Sequence, residues 1–420
     1  MQTIRSQFPL LDQSIHGKPL IYLDSAATSQ KPQIVIDAEK SFYETINAGA
    51  HRSSHELASR ATVIFERARA QVAHLVGAYT QPGKEEIIFT AGATASFNLL
   101  ANSFYNASTP WHHSARFALH AGDEIVVSRA EHHSVLLPFQ ELCYKTGATL
   151  RWFDVDRYGS IQSETADSVI TPKTRIVAIT GLSNVTGALT HLEPIIQRAH
   201  DVGALVVLDA CQLIPHRRVN VHQLDVDFMC WSAHKAYGPS GVGFLYGKRD
   251  LLNELPPSQF GGSMVEAAWL DKPAEYAEPP YRFEAGTQPL AQVASAGIAA
   301  EWYEKYMTPD AITHEHVLTT QLLAIADIPG VKILGRSDDQ DRVGTVSFEI
   351  EGVHPHDVSQ FLDSYGIEIR SGHHCAQPIH RFFHEYASNR VSLGIYNTED
   401  EVKQCVDAIA HVRPYFLGVH

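Results

Sequence analysis

Lys235 stands in Ser232-Ala233-His234-Lys235-Ala236-Tyr237-Gly238-Pro239, where the apolar run Phe228-Met229-Cys230-Trp231 ends and a Gly-Pro break follows. A lysine at the mouth of a buried strand is placed to work as an amine, because partial desolvation favours the neutral form that makes a Schiff base with a carbonyl. The plain alternative is a solvated loop lysine, so the rest of the chain must supply the carbonyl compound's other contacts. Gly92-Ala93-Thr94 lies between a strand and a helix, where backbone amides at a helix N-terminus can hold a phosphate. His132, beyond the run ending at Val127, could stack on an aromatic ring or fill space. Asp209 follows Leu205-Val206-Val207-Leu208, and Gln212 is three residues on. A carboxylate there could bind a ring nitrogen, cap a helix or hold a metal.

Amine, ring-nitrogen partner, stacking imidazole and phosphate cradle together match what pyridoxal phosphate requires of a protein. No nucleotide fingerprint competes, since neither GxGxxG nor GxxxxGK[ST] occurs. A second centre is Arg370-Ser371-Gly372-His373-His374-Cys375-Ala376-Gln377-Pro378. A cysteine on a glycine-containing loop beside two histidines and an arginine sits where the thiolate is favoured; an ordinary loop cysteine is the alternative. Zinc is a rival, because His374, Cys375, His380 and His384 could supply four ligands, but their spacing fits none of the common structural patterns. Arg390 could clamp a carboxylate bidentately or form a surface salt bridge.

These residues need strands to carry them. Apolar runs recur at Glu86 to Thr90, Glu124 to Val127, Leu150 to Phe153, Arg175 to Ile179, Leu205 to Leu208, Phe228 to Trp231 and Val242 to Tyr246. Several are continuous rather than alternating, as expected for strands buried on both faces of a mainly parallel sheet. Helical spacing appears at Pro32 to Tyr43, Ala58 to Val76, Leu136 to Thr146 and Glu193 to Val202, which predicts an α/β domain with ligands at the carboxyl ends of its strands. After Tyr303 the pattern becomes α+β: a half-exposed strand at Val343 to Ile350, a helix from His356 to Tyr365, strands at Ile367 to Arg370 and Asn389 to Ile395. A capping box, Thr398-Glu399-Asp400-Glu401, opens a last helix to about Val412. The first two dozen residues read as an arm packing on something else, and Phe104 to His120 as a surface loop.

The 420 residues suffice for two domains, and a charged share of 19% beside a hydrophobic share of 44% is that of a soluble globular protein. A net charge of −14 argues against a nucleic-acid partner bound by charge. No run reaches the roughly 18 apolar residues of a membrane span, and the N-terminus lacks the apolar segment of a secretory signal. Five scattered cysteines without a CxxC pair predict reduced thiols in a cytoplasmic setting.

Taken together, the motifs resemble the Suf-type cysteine desulfurases, which include selenocysteine lyases, within the class V aminotransferase-like, fold-type I pyridoxal-phosphate enzymes. The resemblance rests on ten pieces: Tyr22-Leu23-Asp24-Ser25-Ala26-Ala27-Thr28, His51-Arg52, Ile88-Phe89-Thr90, Glu131-His132-His133, Ser183-Asn184, Asp209 to Gln212, His234-Lys235, Arg282 to Thr287, Arg370 to Pro378, and Tyr396-Asn397-Thr398. It implies an N-terminal arm (1–30) packing on the small domain and a large cofactor domain (31–295) with a mainly parallel seven-stranded sheet. A smaller α+β C-terminal domain (296–420) would carry the cysteine loop. Lys235 would anchor the cofactor and shuttle the α-proton, His132 would stack on the ring and handle protons, Asp209 would pair with its nitrogen, and Gln212 and Asn184 would approach the ring oxygen. Thr94, Ser232 and His234 would hold the phosphate, with Thr287 reaching it from the other subunit of a homodimer. Arg390 would bind the substrate carboxylate with help from Arg370, and Cys375 would accept sulfur from L-cysteine as a persulfide. Alanine would be released and the sulfur passed to a small acceptor protein for iron–sulfur cluster assembly. A selenocysteine lyase, or another elimination or transamination, would use the same scaffold; a partner-binding scaffold with a vestigial site would not need Lys235, Asp209, Cys375 and Arg390 intact. Ala93 stands where the family usually has a second hydroxyl, and Ala95 replaces a common Glu. Gly261-Gly262-Ser263-Met264 resembles the start of the family's hairpin beside the active-site cysteine, which implies a shielding element there.

Overall fold

All seven apolar runs enter one sheet of the computed structural model, which describes residues 2–51 and 53–418. Arg52, part of the His51-Arg52 piece, lies outside the described residues. The strand order is Ile87–Thr90, Gly243–Gly247, Phe228–Ser232, Leu205–Asp209, Thr174–Thr180, Glu124–Ser128 and Thr149–Phe153. Gly243–Gly247 runs antiparallel to both neighbours, while the strands from Phe228–Ser232 to Thr149–Phe153 pair parallel. Every residue of Phe228–Ser232 and Gly243–Gly247 is buried, which is why these runs show no alternation. The sheet's carboxyl edge collects Thr90, Ser128, Thr180, Asp209 and Ser232, each the last residue of its strand.

A four-stranded antiparallel sheet follows, in the order Val331–Leu334, Thr345–Ile350, Ser388–Ser392 and Arg370–Gly372. Two readings change here. Thr345–Ile350 was expected to be half exposed, yet all but Glu349 is buried, because its polar face is covered by the first sheet's loops. Ser347 Oγ donates to the Val185 carbonyl (2.7 Å). The single strand expected over Ile367 to Arg370 divides: Ile367–Glu368 pairs parallel with the arm residues Ile21–Tyr22, and Arg370–Gly372 pairs with Ser388–Ser392.

Phe104 to His120 is not a surface loop throughout. The helix Ala93–Ala107 carries Phe104 into the core, and the chain returns to bury Phe117 and Leu119. Phe104 packs on Phe117 and Phe228, at centroid distances of 5.8 and 6.0 Å. Trp111, at the tip, projects outward. The helix Leu290–Tyr306 runs across position 295/296 and packs on both Gln33–Thr45 and Glu56–Val76, with Ser295 Oγ donating to the Val35 carbonyl. The final helix opens on the expected capping box at Thr398 and Glu401 and continues to Leu417.

One backbone contact bears directly on the carboxyl edge. Gly92, at φ 146°, precedes the helix Ala93–Ala107, and a Cβ on Gly243 would sit 2.4 Å from the Gly92 Cα. Only two glycines allow the antiparallel strand to approach this turn so closely. Gly243→Ala is expected to cost about 1–3 kcal/mol of stability, measured as a lowered melting temperature; an unchanged value contradicts the close approach.

Candidate active site

The 3-10 turn Ala233–Lys235 follows directly on the buried strand Phe228–Ser232, so Lys235 stands at the carboxyl edge. Arm residues and the adjoining Lys31 fasten this turn. The His234 carbonyl accepts from the Ser29 N–H (3.0 Å), Thr28 Oγ1 (3.0 Å), Ser29 Oγ (3.1 Å) and Lys31 Nζ (2.8 Å). Tyr237, at φ 63°, donates its N–H to Ser29 Oγ (2.8 Å). Burial lowers Lys31 to about 7. The sequence carried no signal for Lys31, whose contacts are all to distant backbone or to its own arm.

Every expected site residue except Thr287 lines one cleft of about 280 Å³. Asp209 is buried and accepts from the Cys211 N–H (2.9 Å); burial raises its pKa above the usual carboxylate value. Gln212 Nε2 donates to the Ala26 carbonyl (2.8 Å). His132 caps the helix His133–Thr146, accepting the Ser134 N–H at Nδ1 (3.0 Å). Burial, with Lys235 nearby, lowers His132 to about 3, so its ring is neutral and the proton sits on Nε2. Thr94 Oγ1 and Ser134 Oγ are 2.6 Å apart, and the Ala93 N–H donates to Ser232 Oγ (2.8 Å).

Glu131 had no role in the sequence reading beyond its place in a motif, since a glutamate before two histidines gives no sign of its surroundings. It is fully buried, accepts at Oε1 from Ser128 Oγ (2.5 Å) and the Thr180 N–H (3.1 Å), and its Oε2 has no partner among the described residues. Burial pushes it up to about 8, aided by the charge of Asp209 and opposed by the Ser128 bond.

The cysteine loop forms the opposite wall. Cys375 is exposed, and His374 and Cys375 both have positive φ, 51° and 54°. Asn184 Nδ2 donates to the His374 carbonyl (2.6 Å), the His133 N–H donates to the Cys375 carbonyl (2.8 Å), and the Gln377 N–H donates to His133 Nε2 (3.2 Å). The backbone is thus pinned while the thiol is free. Arg390 is buried, with Nη1 donating to the Asn184 carbonyl and Nη2 to Asp24 Oδ1, each at 3.1 Å. Arg370 bridges the same carboxylate, Nη2 to Oδ2 at 3.1 Å. His374 and His380 each have Nε2 3.0 Å from Ser388 Oγ, and among the described residues no three His, Cys, Asp or Glu side chains converge on a metal position.

The donor set fits pyridoxal phosphate. A buried carboxylate, a neutral helix-capping imidazole, a lysine and hydroxyls beside the helix Ala93–Ala107 face one cavity, which meets the ring-nitrogen, ring-face, aldehyde and phosphate requirements separately. Thr287 lies elsewhere, in a cavity of about 630 Å³ with His51, Ser263 and Tyr281. Its turn is anchored by Glu284, which binds Arg69 Nη1 (2.6 Å) and Nη2 (2.9 Å) and the Phe89 N–H (2.8 Å). The hairpin Val265–Ala267/Glu275–Tyr276 borders this second cavity, not the Cys375 cleft, so within one chain it shields Thr287's surroundings.

The family model described as aminotransferase class-V matches residues 21–405. A probable cysteine desulfurase of Streptomyces coelicolor is 40% identical over 99% of this chain and 97% of its own length. A cysteine desulfurase of Enterobacter sp. is 40% identical over all of this chain and 99% of its own. Among solved structures, the cysteine desulfurase CsdA (S-sulfonic acid) of Escherichia coli superposes with a TM-score of 0.87 at 34% identity, covering 99% of this chain and 98% of that one. The apo cysteine desulfurase of Thermococcus onnurineus NA1 gives 0.89 at 32%, covering 98% and 97%.

Glu131 provides a test of this wall's electrostatics. Its native value lies above the ordinary 4.5, so the stability it contributes is full below about pH 4.5 and is lost as pH rises through about 8. Glu131→Gln removes that titration. The variant's melting temperature relative to the parent chain is expected to climb between roughly pH 5 and 8.5, and a pH-independent difference contradicts a neutral Glu131.

Proposed function

The chain belongs to the class-V aminotransferase family and is a cysteine desulfurase dependent on pyridoxal phosphate, and on that premise we propose how its residues divide the work. The observation that carries the proposal is the placement of an exposed thiol, Cys375, and a buried arginine, Arg390, on the same cleft as Lys235 and Asp209. Bound pyridoxal phosphate supplies an electron sink when bonds to the substrate's α-carbon break.

Asp209 holds the ring nitrogen, and neutral His132 offers its ring face. Asn184 and Gln212 each retain a second amide N–H for the ring oxygen. Thr94, Ser232, His234 and the amides opening the helix Ala93–Ala107 take the phosphate. Lys235 anchors the cofactor and moves the α-proton. Arg390 receives the substrate carboxylate and Arg370 assists from the adjacent strand. The Cys375 thiolate then attacks the sulfur of L-cysteine: an S–S bond forms, the C–S bond breaks, and its electron pair stays on the carbon. That β-carbon takes a proton from water, Lys235 returns a proton to the α-carbon, alanine leaves, and Cys375 is left as a persulfide.

The second cavity supports a homodimer in which Thr287 reaches the phosphate of the other subunit's cleft. Leu270 at the hairpin tip is fully exposed, as suits a segment seated on a second copy. An exposed persulfide is open to a small acceptor protein, and iron–sulfur cluster assembly is its proposed destination. We place the enzyme in the cytoplasm, consistent with five unpaired cysteines and with no helix among the described residues long and apolar enough to cross a membrane. The arm (1–30), cofactor domain (31–295) and small domain (296–420) remain the proposed division, with the helix Leu290–Tyr306 spanning the second junction.

Cys375→Ser is expected to lower alanine formation from L-cysteine by roughly 100-fold or more while leaving the bound cofactor's absorbance in place. Full turnover in that variant, assayed as alanine and sulfide, overturns Cys375 as the acceptor.

A further inference from the structure

Asp24 lies in the arm, and backbone hydrogen bonds on both sides fix its position. The Leu23 N–H donates to the Glu368 carbonyl (2.9 Å), the Ser392 N–H to the Leu23 carbonyl (2.7 Å), and the Ser25 N–H to the Ser392 carbonyl (3.2 Å). Its carboxylate therefore meets Arg390 and Arg370 together, at 3.1 Å each. These arginines are direct partners across antiparallel strands, an arrangement of like charges that is unfavourable by itself. One carboxylate between two guanidiniums relieves the repulsion and leaves one positive charge uncompensated. Arg390 is 2% exposed, and among the described residues its Nε has no hydrogen-bond partner. A buried charged donor without an acceptor is costly, so the place before it suits an anionic ligand group.

We propose that Asp24 is a positioning residue that sets substrate specificity: it holds Arg370 and Arg390 as one unit with a single spare positive charge, matching a ligand with one carboxylate and disfavouring a ligand with two. The proposal rests on the reading that these arginines receive the substrate carboxylate. Asp24 need not touch the substrate; it acts through the guanidiniums it orients. The charges of Asp209, Lys235 and the cofactor lie in the same cleft and are constant among the ligands compared.

The test uses holoenzyme and two competitive ligands of L-cysteine turnover, L-alanine with one carboxylate and L-aspartate with two. The parent enzyme should bind L-alanine more tightly. Asp24→Asn raises the spare charge to two and should move the ratio of inhibition constants toward L-aspartate by about 5-fold or more, with KM for L-cysteine changing more than kcat. Arg370→Gln lowers the spare charge to zero and should move the ratio the other way while raising KM. Its parent side chain is half exposed, so this variant keeps the test available if Asp24→Asn does not fold. The double variant, with Arg390 alone, should return toward the parent ratio. Ratios within twofold of the parent in the folded single variants, or shifts in the same direction in both, overturn the proposal. So does a parent enzyme inhibited equally by the two ligands or by neither. Failure of the functional reading looks different: the parent holoenzyme would then make no alanine from L-cysteine.

Discussion

Residues 21–31 are hydrogen-bonded to both walls of the cleft, and the geometry of the site depends on that double attachment. On the cysteine side, Ile21 to Ser25 pair with Gly366, Glu368 and Ser392 through backbone bonds. On the lysine side, Thr28, Ser29 and Lys31 converge on the His234 carbonyl, and the Ala26 carbonyl takes the amide of Gln212. Each bond contributes about 0.5–1.5 kcal/mol net. Their joint effect is geometric, because both sets of bonds fall within one segment of eleven residues that turns at Ser25–Ala27, so the two walls cannot move apart without breaking several at once. The separation between Lys235 and the loop of Cys375 is therefore set by covalent chain as much as by packing.

The cysteine loop shows a related constraint at shorter range. His374 and Cys375 adopt the left-handed region, which costs an L residue about 1–2 kcal/mol each. The bonds from Asn184 and His133 to their carbonyls hold them there, and both donors belong to loops or helices of the first sheet. Strain is thereby placed on the backbone, and the thiol is turned outward without being fixed itself. In the role proposed for Cys375, meeting a substrate and then giving up sulfur, a fixed base and a free end would serve both steps.

Much of this was legible in the sequence. Continuous apolar runs marked the sheet, because burial on both faces leaves no polar positions to alternate, and the rule that ligands sit at carboxyl strand ends pointed to residues that line one cleft. The Thr398 capping box was readable because it is local. What could not be read was tertiary. The polar face of Thr345–Ile350 looked solvated because nothing local shows that Val185 and its neighbours cover it. Phe104, Phe117 and Leu119 belong to one apolar cluster only after the chain has turned back on itself. Asp24 and Glu131 were visible as letters in motifs, but their partners lie on other elements: Arg370, Arg390 and Thr180. Thr287 points the same way, since a single chain places it outside the cleft.

The charge state of the cleft follows from burial acting on different residue types. Burial lowers His132 to about 3 and His234 to about 4, and it lowers His374 also. These rings are therefore neutral donors, acceptors and faces at physiological pH, and add no positive charge to that of the arginines. Burial acts in the opposite direction on Glu131, which is protonated at neutral pH and spares Asp209 a second anion beside it. The formal charges that remain are those the proposed chemistry would use: the Asp209 carboxylate for a ring nitrogen and the Arg390 and Arg370 guanidiniums for a substrate carboxylate. Desolvation by itself would make such isolated charges costly. They persist because Asp24 shares the arginines, and because the neutral histidines and Glu131 add no competing field.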